Sequence, residues 1–391
     1  MTTQIDVDNV NRVFQAQKAA QKAAPFPDMA TRRRHLTQLH DLIADNKQAL
    51  IDAITADFGC RSHTETTLAE IIGSFGAIHY QKKNLRRMMR PRRRHTDLWS
   101  WPAKNYVVAQ PLGVVGIMSP WNYPLNLAVA PLASALAAGN RAMVVMSEET
   151  PNLYALFAKL IAKSFSEDHV SVFQGGAISP SFAALPFDHL LFTGSTRVGK
   201  LIALAAAKNL TPVTLELGGK SPAIVAPDYD VGEAANRITW AKLYNAGQTC
   251  IAPDYAFVPE GRQDAFVAAA IAKFNAGYQG LLDSDFTAIV SARFYERLNE
   301  MVAEAETKGA KIIRPQGCAP CITGEVHKIP LTLVLNPPQD CALMQEEIFG
   351  PILPIMTYQS MAEVVEYINN RDRPLSLYLY SHDTARRADI M

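Results

Sequence analysis

The sequence predicts an α/β protein with a core of mostly parallel sheet, and three observations lead there. Apolar runs of strand length recur between residues 113 and 225. Segments of helical spacing separate them, and that alternation is the mark of βαβ units. The chain has 391 residues, 48% of them hydrophobic and 19% charged, enough apolar material for the cores of two or three domains.

The first hundred residues read as helical. Residues 34–58 set Leu36, Leu39, Leu42, Ile43, Leu50 and Ile54 on one face, and Gly59 stops that helix. A second helix runs from about residue 65 to 89 and ends before Pro91. Its C-terminal end is basic, with Lys82, Lys83, Arg86, Arg87, Arg90 and then Arg92, Arg93 and Arg94. Cations there complement the helix dipole. The run reads either as a solvated face or subunit contact, or as a phosphate or nucleic-acid site. The net charge of +1 argues against a dedicated nucleic-acid or anionic-membrane binder.

Residues 97–111 alternate Trp99, Trp101, Tyr106 and Val108 and read as one arm of a small sheet. Gly113-Val-Val-Gly-Ile-Met-Ser119 is a buried strand. Pro124 opens a helix that Gly139 closes. Its apolar run is shorter than the ~20 residues that span a bilayer, so no membrane segment is expected. Strands follow at 142–146, 170–173, 190–193, 213–217 and 223–225, with helices at 151–165 and from the 190–193 strand to about 208. A proline-rich stretch, 309–338, reads as loop. The polar first 24 residues lack the apolar core of a signal peptide, and five cysteines, an odd number, suit a reducing, cytoplasmic setting.

Three stretches carry candidate chemistry. Gly194-Ser-Thr-Arg-Val-Gly199 follows a strand and opens a helix, where free amides attract phosphate. Its glycine spacing also fits a plain strand-to-helix turn. Glu216-Leu-Gly-Gly-Lys220 puts a carboxylate at a strand end, either a poorly solvated general base or a partner for Lys220. Gly247-Gln-Thr-Cys250 offers one thiol after a glycine turn, with no cysteine or histidine near it in sequence. It is a nucleophile or a structural cysteine. Cys318-Ala-Pro-Cys321, with His327 and Cys341, could supply four zinc ligands, but the spacing is not a standard finger and no metal is expected.

Taken together, the pieces resemble the aldehyde dehydrogenase superfamily. Pro120-Trp-Asn-Tyr-Pro124, Ala138-Gly-Asn140, Phe192-Thr-Gly-Ser-Thr196, Glu216-Leu-Gly-Gly-Lys220, Gly247-Gln-Thr-Cys250 and Glu346-Glu-Ile-Phe-Gly-Pro351 fall in the family's order and spacing. Tyr80-Gln-Lys-Lys-Asn-Leu85, Leu98-Trp-Ser-Trp-Pro-Ala-Lys104 and Cys250-Ile-Ala-Pro-Asp-Tyr255 are similar to the class-3 branch, most of all to bacterial coniferyl aldehyde dehydrogenases.

The resemblance implies an aldehyde dehydrogenase-like fold of two parallel-sheet α/β domains and a small oligomerisation arm. The cofactor-binding domain would hold residues 1–96 and 112–213, the arm 97–111 and the catalytic domain 214–391. It implies oxidation of a small-molecule aldehyde, such as an aromatic propenal, with NAD or alternatively NADP. Cys250 would add to the carbonyl, Asn122 and the Cys250 N–H would hold the oxyanion, and Glu216 would activate the water that frees the acid. Trp121, Glu148, Gly194, Ser195, Val198, Leu217, Glu347 and Phe349 match cofactor positions. Among them, Ser195 would meet the pyrophosphate, Glu148 the adenosine ribose, and Glu347 and Phe349 the nicotinamide ribose and ring. A coenzyme A-acylating relative is disfavoured by Glu216. The alternative is a non-catalytic nucleotide-binding or structural protein on the same scaffold, or an inactive fragment: Cys250, Glu216 and Asn122 together favour the enzyme, while Val145 and the early end of the family pattern favour the alternative.

Two departures stand out. Val145 replaces the family's lysine near the adenosine ribose. The family pattern also continues for several dozen residues past Tyr380, with a strand that pairs between subunits, so the expected homodimer would lack that strand's contribution in these 391 residues.

Overall fold

A computed structural model describes residues 2–390, with side chains from residue 6 onward. Met1 and Met391 lie outside the described residues. The chain divides into two compact units, one of Met1–Ile54 and Thr66–Glu216, the other of Thr55–Glu65 and Leu217–Met391.

The sheet of the first unit has five strands. Their order is Val170–Gln174, Arg141–Met146, Val114–Met118, His189–Gly194, Val213–Leu217. The pairings among the first four are parallel. All five residues of Val114–Met118 are buried, as a central parallel strand requires. Helices Asn126–Ala138, Pro151–Ser164 and Thr196–Ala207 follow strands as anticipated. Gly139 ends the first of these at φ +86°, against the Arg32 guanidinium. Arg32 donates to the carbonyls of Ala137 (3.2 Å) and Ala138 (2.8 Å), oxygens that a helix end leaves without partners.

Local pattern misled in three places here. The expected helix over 34–58 is two helices, Met29–Asp45 and Lys47–Phe58. Asn46 breaks it, at φ −120°, with its side chain donating back to Leu42 O at 2.8 Å. The next helix, Gly73–Met89, is preceded by a π-helical turn, Thr67–Ile72. The arm begins earlier than residue 97: Arg92–Arg94 pairs antiparallel with Asn105–Val107, so those arginines form a strand rather than a helix end.

The second unit carries a six-stranded sheet, in the order Lys311–Ile313, Thr332–Leu335, Ile352–Tyr358, Tyr255–Pro259, Pro222–Val225, Tyr378–Tyr380. The first pair is antiparallel and the rest are parallel. The helix Ala292–Thr307 buries Leu298, Met301, Val302 and Ala305 in one core cluster. Helices Val231–Leu243 and Gln263–Gly277 contribute Ala234, Ile238, Phe266 and Phe274 to another.

The stretch 309–338 is not simply loop, because it contains four short strands. Its prolines fall between strands, where no ladder donor is lost. Residues 55–65 belong to the second unit, not to the first as sequence proximity suggested. Ala288 N donates to Cys60 O at 2.8 Å and Ser62 Oγ to Asp285 at 3.0 Å. Such long-range pairing leaves no local signature. The division itself falls after Glu216, three residues later than expected.

Candidate active site

The strand order of the first unit reverses beside Val114–Met118: the chain winds outward through 141–146 and 170–174, then returns to 189–194 on the other side. Sheets of this kind bind ligands at the carboxyl ends of the strands at that switch point. Trp121 and buried Asn122 follow Val114–Met118 there, and Gly194 and Ser195 follow the returning strand. Ser195 caps the helix Thr196–Ala207, its Oγ accepting from Val198 N at 3.4 Å. The other amides of that first turn suit an anion.

Glu148 lies just past Arg141–Met146 and is exposed. It sits beside the Gly175–Gly176 turn, where a Cβ on Gly175 would come within 3.3 Å of its carboxylate. Val145 is 3% exposed and its carbonyl accepts from Ser119 N at 2.9 Å.

Glu216 and Leu217 end the strand Val213–Leu217. Glu216 is exposed rather than poorly solvated, correcting the environment the sequence suggested. It does not pair with Lys220 either. Lys220 contacts Asp254 instead, in a pair with side chains 11% and 4% exposed.

In the second unit, Cys250 is half-buried just after an unusual turn. Asn245, Ala246 and Gly247 take φ values of +51°, +51° and +72° in succession. A Cβ on Gly247 would overlap Gly350 O, so glycine is required there. Buried Gln248 braces the turn: Nε2 donates to Asn245 O and Ala288 O, both at 3.0 Å, and Oε1 accepts from Val290 N at 3.0 Å. Near the thiol, the Tyr378 hydroxyl donates to Ile251 O, and the Cys250 side chain helps to raise the phenol's pKa, after burial.

Glu347 and Phe349 lie on a second braced turn. Arg297 donates to Glu347 O (2.7 Å) and Ile348 O (3.0 Å), and Asp254 accepts from Ile348 N (2.9 Å). Phe349 is left-handed, at φ +56°. A Cβ on Gly218 would overlap the Glu347 carboxylate, which therefore lies directly over the Gly218–Gly219 backbone. Burial, then the Asp254 charge, push the Glu347 carboxyl up to about 7, against Gly219 N–H, Lys220 and Lys242. Lys242 is fully buried, and burial lowers its ammonium to about 8.

The structure thus gathers Trp121, Asn122, Glu148, Gly194, Ser195 and Val198 at one sheet edge of the first unit. Leu217, Cys250, Glu347 and Phe349 belong to the second, and Glu216 is the last residue of the first. Sequence reasoning missed Asp254, Lys242, Gln248 and Arg297. Arg297, on an amphipathic helix, looks like surface charge until its partners are seen. Among the described residues, no group of three or more His, Cys, Asp and Glu side chains could hold a metal ion, and no helix is long and apolar enough to cross a membrane.

Comparison with known proteins gives a consistent picture. The aldehyde dehydrogenase family model matches residues 2–391. A probable coniferyl aldehyde dehydrogenase of Pseudomonas aeruginosa is 46% identical over 392 residues, covering 100% of this chain and 81% of that protein. The substrate-bound Staphylococcus aureus AldH superposes with a TM-score of 0.92 at 35% identity, over 97% of this chain and 82% of that one. A Mycobacterium tuberculosis aldehyde dehydrogenase complexed with NAD+ does so at 0.87 and 28% identity, over 98% and 80%.

Proposed function

The chain belongs to the aldehyde dehydrogenase family, and from that membership we propose that it oxidises an aromatic propenal such as coniferaldehyde to its acid, through a thioester on Cys250 and with NAD or NADP. The observation that carries this reading is the Cys250 turn. A strained, internally braced backbone leaves a thiol half-exposed at its end, a costly arrangement for a merely structural cysteine.

The residues present fit a dinucleotide. The first turn of Thr196–Ala207, at the switch point, suits the pyrophosphate, and exposed Glu148 suits a ribose hydroxyl. The Glu347 carboxylate, over a glycine pair with no room for a Cβ, suits the second ribose, and Phe349 the ring. NAD(P), when bound, accepts the hydride that the aldehyde carbon gives up.

Cys250 attacks as thiolate and forms a C–S bond to the carbonyl carbon. The Asn122 amide and the Cys250 N–H hold the oxyanion until hydride loss restores the carbonyl as a thioester. Glu216 takes a proton from water, the hydroxide adds to the thioester, and the C–S bond breaks to release the acid and the thiolate. Exposure of Glu216 suits a base that must meet water. We also assign the exposed hairpin arm, with Trp99 96% and Trp101 74% exposed, to pairing with a second copy in a cytoplasmic homodimer, which light scattering checks.

The deciding experiment is NADH or NADPH production from coniferaldehyde by the parent, Cys250→Ser and Cys318→Ser. Activity lost in the first variant and kept in the second supports the reading. Turnover surviving in Cys250→Ser overturns it.

A further inference from the structure

We propose that Glu65 is a positioning residue for the nucleophile, its carboxylate holding the start of the left-handed turn that presents Cys250. The proposal rests on Cys250 being the reactive thiol and extends that reading to a residue remote in sequence.

Asn245, Ala246 and Gly247 form a left-handed run in which two members are not glycine. Such a conformation persists only where its surroundings over-determine it. Gln248 braces it from within, tying Asn245 O to the 288–290 segment. Its entry is held from outside. Glu65 Oε2 accepts from Asn245 N at 3.1 Å and from Thr287 Oγ1 at 2.8 Å, and Glu65 O accepts from the Tyr244 hydroxyl at 3.3 Å. One residue therefore grips Tyr244, Asn245 and Thr287 together.

Glu65 is itself fixed. Its N–H donates to Ser62 Oγ at 3.3 Å, and Ser62 Oγ donates to Asp285 at 3.0 Å. Burial raises its pKa, while Thr287, Arg61 and the Asn245 N–H favour the ionised form and Asp285 opposes it. A carboxylate placed at this cost, with one oxygen joining the first N–H of the turn to Thr287, does more than solvate a helix start. Removing it takes away the oxygen that accepts from both Asn245 N–H and Thr287 Oγ1 and frees the turn to relax. A relaxed turn shifts the thiol, and small misplacements of a reacting group cost rate rather than binding.

The test uses the whole chain as parent, Glu65→Gln, Glu65→Ala and Thr287→Val. Two quantities are read: the pH-dependent rate of iodoacetamide alkylation at the Cys250 peptide, by mass spectrometry, and steady-state turnover of coniferaldehyde. Glu65→Ala should slow alkylation by about fivefold or more and kcat by about tenfold, with both KM values within about twofold. Glu65→Gln, which keeps an acceptor oxygen, should recover both to within about threefold of the parent, and Thr287→Val should fall between. Parent-like alkylation and kcat in folded Glu65→Ala overturn the proposal. If that variant does not fold, parent-like alkylation in Thr287→Val overturns it instead. Alkylation needs neither aldehyde nor cofactor. A Glu65-dependent thiol in a chain that oxidises no aldehyde would sink the proposed activity and leave the positioning role standing.

Discussion

Lys220 and Asp254 form a buried ion pair that fastens the Gly218–Lys220 backbone to the turn carrying Glu347 and Phe349. The same ammonium donates to Leu343 O at 2.7 Å and Glu346 O at 2.9 Å, while the other Asp254 oxygen accepts from Ile348 N at 2.9 Å. Two sequence motifs far apart in the chain are thereby one structural piece. Removing one partner strands the other's charge in a dry place, which costs far more than an exposed pair is worth.

Lys220→Met should therefore lower stability by about 3–5 kcal/mol, read as the urea midpoint of the second unit's transition. The KM for the cofactor should rise with it, because the 343–349 backbone loses its anchor. Lys220→Met combined with Asp254→Asn should be less damaging than the two losses added, since neither charge of the pair is left without the other. Simple additivity would mean that the pair contributes nothing as a pair.

Glu347 should make cofactor binding pH-dependent. Its carboxyl is raised to about 7 by burial and by Asp254, so it is largely protonated below that pH. An ionised carboxylate is the better acceptor for a ribose hydroxyl, so affinity should strengthen as pH rises through about 7. Stability has the opposite sign: between the ordinary 4.5 and about 7 the folded state holds a proton that the unfolded state has lost. The folding advantage of the protonated group is complete below 4.5 and gone above about 7, a change of about 3 kcal/mol. Glu347→Gln should flatten both profiles in calorimetry and denaturation; unchanged profiles would place the titration elsewhere.

A second pH effect belongs to the first unit. The His35 and His169 rings lie 4.2 Å apart, tilted at 51° to each other, and burial lowers them to about 4 and about 3. Further lowering comes for His35 from Arg34 and Arg141, and for His169 from His35 and Arg141. Both are neutral in the folded state at pH 6.5, where the unfolded chain begins to bind protons. Stability is thus intact above 6.5 and is lost as pH falls toward about 3. His169→Phe should remove part of that slope, measured as the urea midpoint between pH 6.5 and 4, and equal slopes would rule the pair out.

How far the sequence reaches can be judged residue by residue. The parallel sheet of the first unit was legible because each strand is a closed apolar run beside its own helix. The stretches around Ser195, Cys250 and Glu347 stand out in the sequence because their motifs are local. Lys220 was visible but mispaired: Glu216 is its neighbour in sequence, while Asp254 is its neighbour in space. Gln248, Lys242, Arg297 and Glu65 were silent because their importance lies wholly in long-range partners. The Asn46 break and the 55–65 segment were missed for the same reason, as hydrophobic period reports burial and not chain path.

Glu216 should matter after hydride transfer more than before it. Its exposed side chain suits contact with water, and deacylation is the step that needs one. Glu216→Gln should give a rapid burst of NADH of about one equivalent per active thiol, then slow turnover. Stopped-flow absorbance decides the matter, and a missing burst would move Glu216 ahead of hydride transfer.

Val145→Lys should tighten NAD binding. Val145 is the penultimate residue of Arg141–Met146 and 3% exposed, three positions before Glu148 at the strand's carboxyl edge. A lysine stem can stay against apolar neighbours while its ammonium reaches outward, toward the adenosine ribose of the proposed cofactor site. Filling a packed site costs about 1–3 kcal/mol of stability, so the melting temperature should drop. Against that loss, the NAD dissociation constant should fall about tenfold, the equivalent of 1.4 kcal/mol. Titration calorimetry on the folded variant separates the two effects. An unchanged constant would show that a side chain at position 145 does not reach the ribose.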